Sequence, residues 1–164
     1  MRKTGNLVRA GLFIGLGIVL PMLFHFTGIS GKVLLPMHIP VLLGGFYIEK
    51  KYMILVGVLT PLLSSILTGM PPLYPMVPIM ILELSTYGFA IAYLKEKGIN
   101  KYLNLILSMI AGRIMAGIAV FILTLTMGFK ANPLLFVKGS IITGLTGIII
   151  QLILIPILIS LIKE

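Results

Sequence analysis

The chain has 164 residues, 59% of them apolar and only 10% charged, with a formal net charge of +9 and a mean hydropathy of +1.16. A soluble domain is about half apolar and a quarter charged, so an ordinary soluble globule is excluded and a polytopic membrane protein of at most about six or seven spans is expected. Cysteine is absent, which excludes a disulfide framework, a thiolate metal site and a cysteine nucleophile, and no basic stripe outside the apolar runs suits nucleic acid.

Arg2, Lys3 and Arg9 flank the start of the first apolar run, which ends near Phe26. The run lacks an A-x-A-like cleavage site and is long enough to span, so it reads as an anchoring helix rather than a signal peptide. The glycine-flanked stretch Thr27–Lys32 forms a loop. The second span starts near Leu35 and ends at Glu49-Lys50-Lys51, with Pro36 and Pro40 in its first turn, where a missing N–H costs least. The third runs from about Tyr52 to Leu67. Thr68–Pro75 follows as a proline-rich loop that cannot be regular helix. The fourth span ends at Leu94, before Lys95-Glu96-Lys97-Gly98. The fifth runs from Tyr102 to Met127, Gly128–Pro133 is a loop, and the sixth runs from Leu134 to Ile162, long enough to tilt. Leu35-Pro36-Met37-His38-Ile39-Pro40 echoes Tyr74-Pro75-Met76-Val77-Pro78, which reads as convergent use of proline at helix starts, the alternative being a relic of duplication.

Six spans put both termini on one side. That side carries Arg2, Lys3, Arg9, Lys50, Lys51, Lys95, Lys97, Lys101 and Lys163, against Lys32, Lys130 and Lys138 on the other. The bias places both termini in the cytoplasm. The expected fold is an all-α integral membrane protein, with six transmembrane helices in a compact bundle forming one domain over residues 1–164.

Glu83 and Arg113 are ionisable residues inside spans. At 1.5 Å per residue they lie roughly 12 Å and roughly 21 Å below the outer ends of the fourth and fifth spans. Each costs on the order of 3 kcal/mol at a helix centre, so each faces the bundle interior, a partner or a wet cavity. Either they pair, or at least one meets a ligand. Tyr87 follows Glu83 at i+4 on the same face, placed to orient the carboxylate or touch a ligand. Gln151, deep in the sixth span, is either a pocket amide or an interhelical hydrogen bond. His38, at the start of the second span, either donates to a ligand or caps loop carbonyls, and His25 reads as interfacial. The two separated histidines do not make a metal site.

Gly11 and Gly15, at i, i+4 on the first span, offer a small-residue face for close helix approach, inside the bundle or with another membrane protein. Gly69–Pro75 is stiffened by proline and edged by Met70 and Tyr74, which suits a lid or simply a rigid turn. No Walker A motif, no G-x-S-x-G and no aspartate occur. ATP hydrolysis by this chain and most proton-relay designs are therefore not expected. A serine protease pairing of Ser64 or Ser65 with His38 is only a geometric possibility, and no enzyme activity is expected.

Ala10–Gly17, Leu34–Phe46 and Leu59–Tyr87, with Gly69–Pro75 inside the last, resemble the substrate-binding S components of energy-coupling factor (ECF) vitamin transporters. The resemblance implies a membrane-embedded subunit that captures a vitamin or precursor from outside. It implies association with a transmembrane coupling subunit and two cytoplasmic ATPases, which would hydrolyse the ATP, with no cofactor of its own. The family's Ala-x-x-x-Ala docking motif falls on Gly11 and Gly15, glycine here. Its pocket would be gated by the loop Gly69–Tyr74 and lined from the helices bearing Glu83, Tyr87 and Arg113. With the residues read directly, the substrate-binding candidates are His38, Met70, Tyr74, Glu83, Tyr87, Arg113 and Gln151. Without tryptophan, aromatic stacking would rest on Tyr or Phe. One buried acid and one buried base permit a donor-rich ring with an acidic or polar tail. The nearest likeness is to S components linked with salvage of cobalamin precursors such as alpha-ribazole; niacin, pantothenate, pyridoxine and a queuosine precursor are alternatives. Rival readings are a stand-alone carrier or channel and a structural membrane subunit.

Overall fold

A computed structural model describes residues 3–26 and 31–162. Arg2, the loop residues 27–30 and Lys163 lie outside the described residues, as do the side chains of His25, Phe26 and Lys32. The described residues form eight helical segments and no strand: α1 (Lys3–Phe26), α2 (Gly31–Leu34), α3 (His38–Gly44), α4 (Lys50–Thr68), α5 (Met76–Glu96), α6 (Lys101–Met127), α7 (Pro133–Thr143) and α8 (Leu145–Ile162). Five of them, α1, α4, α5, α6 and α8, are long and apolar enough to cross a membrane.

Local chemistry sets the helix ends. Gly69 ends α4 with φ +73°, its N–H donating to Ser65 O at 2.9 Å, and the prolines beyond it prevent the helix from resuming. The Asn100 side chain caps α6 by accepting from Tyr102 N–H at 2.9 Å. Asn132 Oδ1 caps α7 by accepting from Leu134 N–H at 2.9 Å and Leu135 N–H at 3.2 Å, with Pro133 in the first turn.

Two predicted spans are not single helices. The second, expected from about Leu35, is regular helix only over the seven-residue α3, which ends in turns before Glu49, and the short α2 precedes it, beginning within the expected loop. Leu35, preceding Pro36, leaves the helical region with φ 50°. At the other end Gly44 and Gly45 are buried, and a Cβ on Gly45 would overlap Ile91 of α5. The chain turns where its backbone touches that helix. The sixth is interrupted at Gly144, where a Cβ would meet Leu35 and the Ser140 carbonyl, so α7 and α8 are separate helices.

α4, α5 and α6 pack in sequence, with α1 against α4. Glycines allow the close approach: a Cβ on Gly57 would overlap the backbone of Leu84 and Ser85, and one on Gly88 would press on Met53. The main core contains Val41, Leu42, Met53, Val56, Leu84, Leu105 and Ile155, all fully buried. A smaller cluster of Ile79, Ala116, Ala119, Val120 and Leu123 lies on α5 and α6. The outward faces carry exposed Leu12, Ile110, Ile114, Leu125 and Ile153, as lipid contact requires.

Hydrogen bonds identify the two ends of the bundle. At one, Asn6 Nδ2 donates to Glu49 Oε1 at 2.8 Å, Lys50 pairs with Glu96 at 2.7 Å and Lys101 Nζ donates to Ser160 at 2.8 Å. Lys95 Nζ also donates there to the Phe46 carbonyl. The starts of α1, α4 and α6 and the ends of α5 and α8 therefore meet. At the other end Tyr74 Oη lies 3.5 Å from the Met127 carbonyl, joining the loop before α5 to the end of α6. Because α1 leaves the first end and α4 begins there, the stretch between them returns the chain across the bundle.

Candidate functional site

Glu83 and Tyr87 occupy successive turns of α5, Arg113 lies on α6, and His38 opens α3. Glu83, Arg113 and His38 are only 4%, 8% and 3% exposed. Arg113 Nη1 lies 2.8 Å from Glu83 Oε1, an ion pair inside the bundle. The Tyr87 hydroxyl donates to the same oxygen at 2.8 Å. His38 Nε2 stands 3.7 Å from it, too far for a hydrogen bond and close enough for an electrostatic contact. Among the described residues every polar contact of Glu83 falls on Oε1. The depth offset expected between Glu83 and Arg113 is cancelled by helix length: α5 has 21 residues and α6 has 27. Their facing ends are joined by a short turn, so α6 overreaches the start of α5 and Arg113 sits level with Glu83.

Glu83, Arg113 and His38 border a cavity of about 970 Å³ lined by α3, α5, α6, α7, Pro21 of α1, the residues just before α3 and the loop after α4. Its apolar wall includes Met37, Met70, Met76, Met80, Pro71 and Phe136. Its polar side chains are His38, Glu83, Arg113, Ser140 and Thr143. Arg113 Nη1 also donates to Ser140 Oγ at 3.3 Å. Both His38 ring nitrogens and Arg113 Nε are buried without a hydrogen-bond partner. Such groups normally find a partner, so they mark a place where one is missing. The volume falls in the range of small-molecule sites, and the plan, an apolar wall with few converging polar groups, is typical of them.

Of the sequence candidates, His38, Met70, Glu83 and Arg113 line the cavity. Tyr87 stands behind Glu83: its ring lies 5.6 Å from that of His38 and against Gly112, where a Cβ would overlap it. Gln151 Nε2 donates to the Leu35 carbonyl at 3.2 Å, fixing the strained turn rather than lining the cavity. Tyr74 does not line it either; its ring meets Phe129 edge-on at 6.1 Å, tying two loops together. The expected aromatic stacking surface is thereby reduced to Phe136. The Ser64 hydroxyl donates to the Met70 carbonyl at 2.7 Å, and the His38 nitrogens have no hydrogen bond, so no serine–histidine pair forms. Among the described residues no group of three or more His, Cys, Asp or Glu could hold a metal ion. Gly11 and Gly15 are exposed, and a Cβ on either would meet nothing within 4 Å.

Ser140, Thr143, Met37 just before α3 and the methionines of α5, Met76 and Met80, were not singled out by the sequence as cavity residues. Ser140 and Thr143 sit three apart on α7, the one available signal, but one turn of spacing is weak evidence in an apolar helix. Asn104 and Ser108 are also buried, with Asn104 Nδ2 donating to the Ile91 carbonyl at 3.0 Å and Ser108 Oγ to Asn104 Oδ1 at 3.2 Å. They link α5 to α6 outside the cavity. A second hollow of about 420 Å³, on the opposite side of α7, is bordered by Ile114, Ile118, Phe121, Leu134 and Val137, and Arg113 reaches it too.

The family model of the ECF transporter substrate-specific component matches residues 5–159. No curated protein and no solved structure matches the chain. Members of that family are transporter subunits rather than enzymes and associate with an ECF coupling and ATPase module. The match spans nearly the whole chain, and the five membrane-length apolar helices fit it: this chain belongs to the ECF transporter substrate-specific component family and is a multi-pass protein of the plasma membrane.

Proposed function

We propose that the protein captures a vitamin or vitamin precursor from outside the cell for ATP-driven uptake, with His38, Met70, Glu83 and Arg113 in contact with the substrate and Tyr87 positioning Glu83. The observation that carries this reading is the cavity of about 970 Å³ bordered by a buried ion pair and by the unpartnered nitrogens of His38. A purely structural pair would need no cavity beside it. Within the class, the resemblance in sequence favours a cobalamin precursor such as alpha-ribazole.

The reading includes six crossings in one domain and cytoplasmic termini. The stretch between α1 and α4, though broken, supplies the crossing that the five long helices lack. Of the described basic residues, Lys3, Arg9, Lys50, Lys51, Lys95, Lys97 and Lys101 lie at the end where α1 begins, and Lys130 and Lys138 toward the other, which supports that orientation. The cavity and the loop Gly69–Pro75 would then face outward. The exposed Gly11–Gly15 face suits docking to the coupling subunit, where a partner helix finds no side chain in its way.

The test is native mass spectrometry of gently extracted protein, followed by calorimetric titration with a panel of vitamins and precursors. A bound small molecule that Arg113→Gln abolishes is expected. Folded protein that binds no member of the panel would overturn the reading. Uptake into vesicles without ATPase partners would favour a stand-alone carrier.

A further inference from the structure

We propose that the cavity accepts an uncharged, mostly apolar molecule, seated with one hydrogen-bonding edge at Glu83, Arg113 and His38, and that it rejects phosphorylated or carboxylated forms of the same molecule. The inference rests on the capture reading above and narrows its substrate class.

The polar groups of the cavity are gathered in one place. Glu83 touches Arg113, Arg113 touches Ser140, and His38 Nε2 is 3.7 Å from Glu83. The Ser140 hydroxyl donates to the Val137 carbonyl at 2.9 Å and that of Thr143 to the Gly139 carbonyl at 2.8 Å, so both hydroxyl protons are committed to their own helix. The remaining wall, with its four methionines and its prolines, holds no charge and can adapt to an apolar body of irregular outline. A ligand therefore meets polarity at one edge only. A neutral imidazole brings one donor and one acceptor, and neither His38 nitrogen makes a hydrogen bond. An amide, or a ring edge with a donor beside an acceptor, complements that pattern.

Net charge follows from the pairing. Glu83 and Arg113 are the only Asp, Glu, Lys or Arg side chains that border the cavity among the described residues, and they are 2.8 Å apart. The site offers an anion no free cation. A phosphate or carboxylate would have to draw Arg113 away, leaving Glu83 buried and uncompensated, or sit beside both and be repelled by Glu83 at low dielectric. The acidic tail allowed by one buried acid and one buried base is thus disfavoured once the two are seen to neutralise each other.

The experiment is calorimetric titration of the purified protein in detergent with matched probes: nicotinamide and nicotinate, panthenol and pantothenate, pyridoxine and pyridoxine 5′-phosphate, alpha-ribazole and its 5′-phosphate. The uncharged member of at least one pair is expected to bind at least about tenfold more tightly than its anionic counterpart, since the anion must break a buried pair. Glu83→Gln, which frees Arg113, is expected to narrow or reverse that ratio. The double variant Glu83→Gln with Arg113→Gln, neutral again, is expected to restore it. Should Glu83→Gln fail to fold, the wild-type pairs and the double variant decide. An anionic member that binds wild-type protein as tightly as its uncharged counterpart overturns the charge rule while the capture reading stands. Folded protein that binds neither member of any pair overturns both.

Discussion

Tyr87 holds Glu83 from behind, its hydroxyl donating to Oε1 at 2.8 Å while its ring lies against Gly112 of the neighbouring helix. The carboxylate is thereby aimed by a side chain outside the cavity. Tyr87→Phe is expected to cost about 1.5–3 kcal/mol through the lost hydrogen bond to a charged carboxylate. Gly112→Ala, which drives a methyl into the ring, is expected to cost about 1–3 kcal/mol. Thermal unfolding in detergent measures both, and equal melting temperatures for Gly112→Ala and wild type would refute the clamp.

Arg113→Gln leaves Glu83 buried without its counter-ion. In soluble proteins such a loss costs about 3–5 kcal/mol. A double-mutant cycle with Glu83→Gln isolates the coupling, and the double variant is expected to be less destabilised than the two single losses combined. Simple additivity would mean that the ion pair contributes nothing of its own.

Bulky residues at Gly11 or Gly15 meet open space, and leucine is a better helix former than glycine. Gly11→Leu and Gly15→Leu are expected to keep or slightly raise the melting temperature and to keep ligand binding. Uptake in cells carrying the coupling module is expected to be lost. Normal uptake would remove this face from the docking role.

The chain contains no cysteine, so single introduced thiols can be labelled without background. Lys97, between α5 and α6, and Lys130, between α6 and α7, are both exposed and at opposite ends of the bundle. An impermeant maleimide applied to intact cells is expected to label Lys130→Cys and to spare Lys97→Cys. The reverse pattern would invert the proposed orientation.

Glu49, at the head of α4, receives Asn6 Nδ2 at 2.8 Å and Lys51 Nζ at 3.2 Å. The adjacent Lys51 ammonium, with help from Asn6, holds its carboxyl below the ordinary value. A depressed carboxylate stabilises the fold above its unfolded value, about 4.3 for glutamate, and that contribution is lost as pH falls through the folded value. The melting-temperature gap between wild type and Glu49→Gln is therefore expected at neutral pH and expected to close on acidification. A gap that stays constant with pH would mean that the carboxylate's charge is irrelevant there.

The long helices could be read from the sequence because apolar runs end in visible signals: glycine with prolines after α4, the charged Lys95–Gly98 cluster after α5 and the Gly128–Pro133 loop after α6. The alignment of Glu83 and Tyr87 followed from helical spacing alone. Ambiguity began where tertiary contact decides. The second span carries enough apolar residues, but Leu35 adopts φ 50° and Gly45 must press on Ile91, neither of which is local information. Gln151 and Tyr74 are polar groups in the right region whose partners are backbone carbonyls distant in sequence. The same holds for Ser140, an unremarked serine until α7 folds over Arg113.

No residue of α7 is buried, yet α7 supplies Phe136, Ser140 and Thr143 to the cavity. The main core lies elsewhere, in α3 to α6 and α8 with part of α1, and Phe136 packs against the smaller cluster of α5 and α6. The part of the cavity wall that α7 supplies is thus set apart from the main core, while His38, Glu83 and Arg113 stand on the core helices themselves. Substitutions on α7 can change what the protein selects with little effect on whether it folds, which makes this one helix the cheapest route by which such a scaffold could acquire a new ligand.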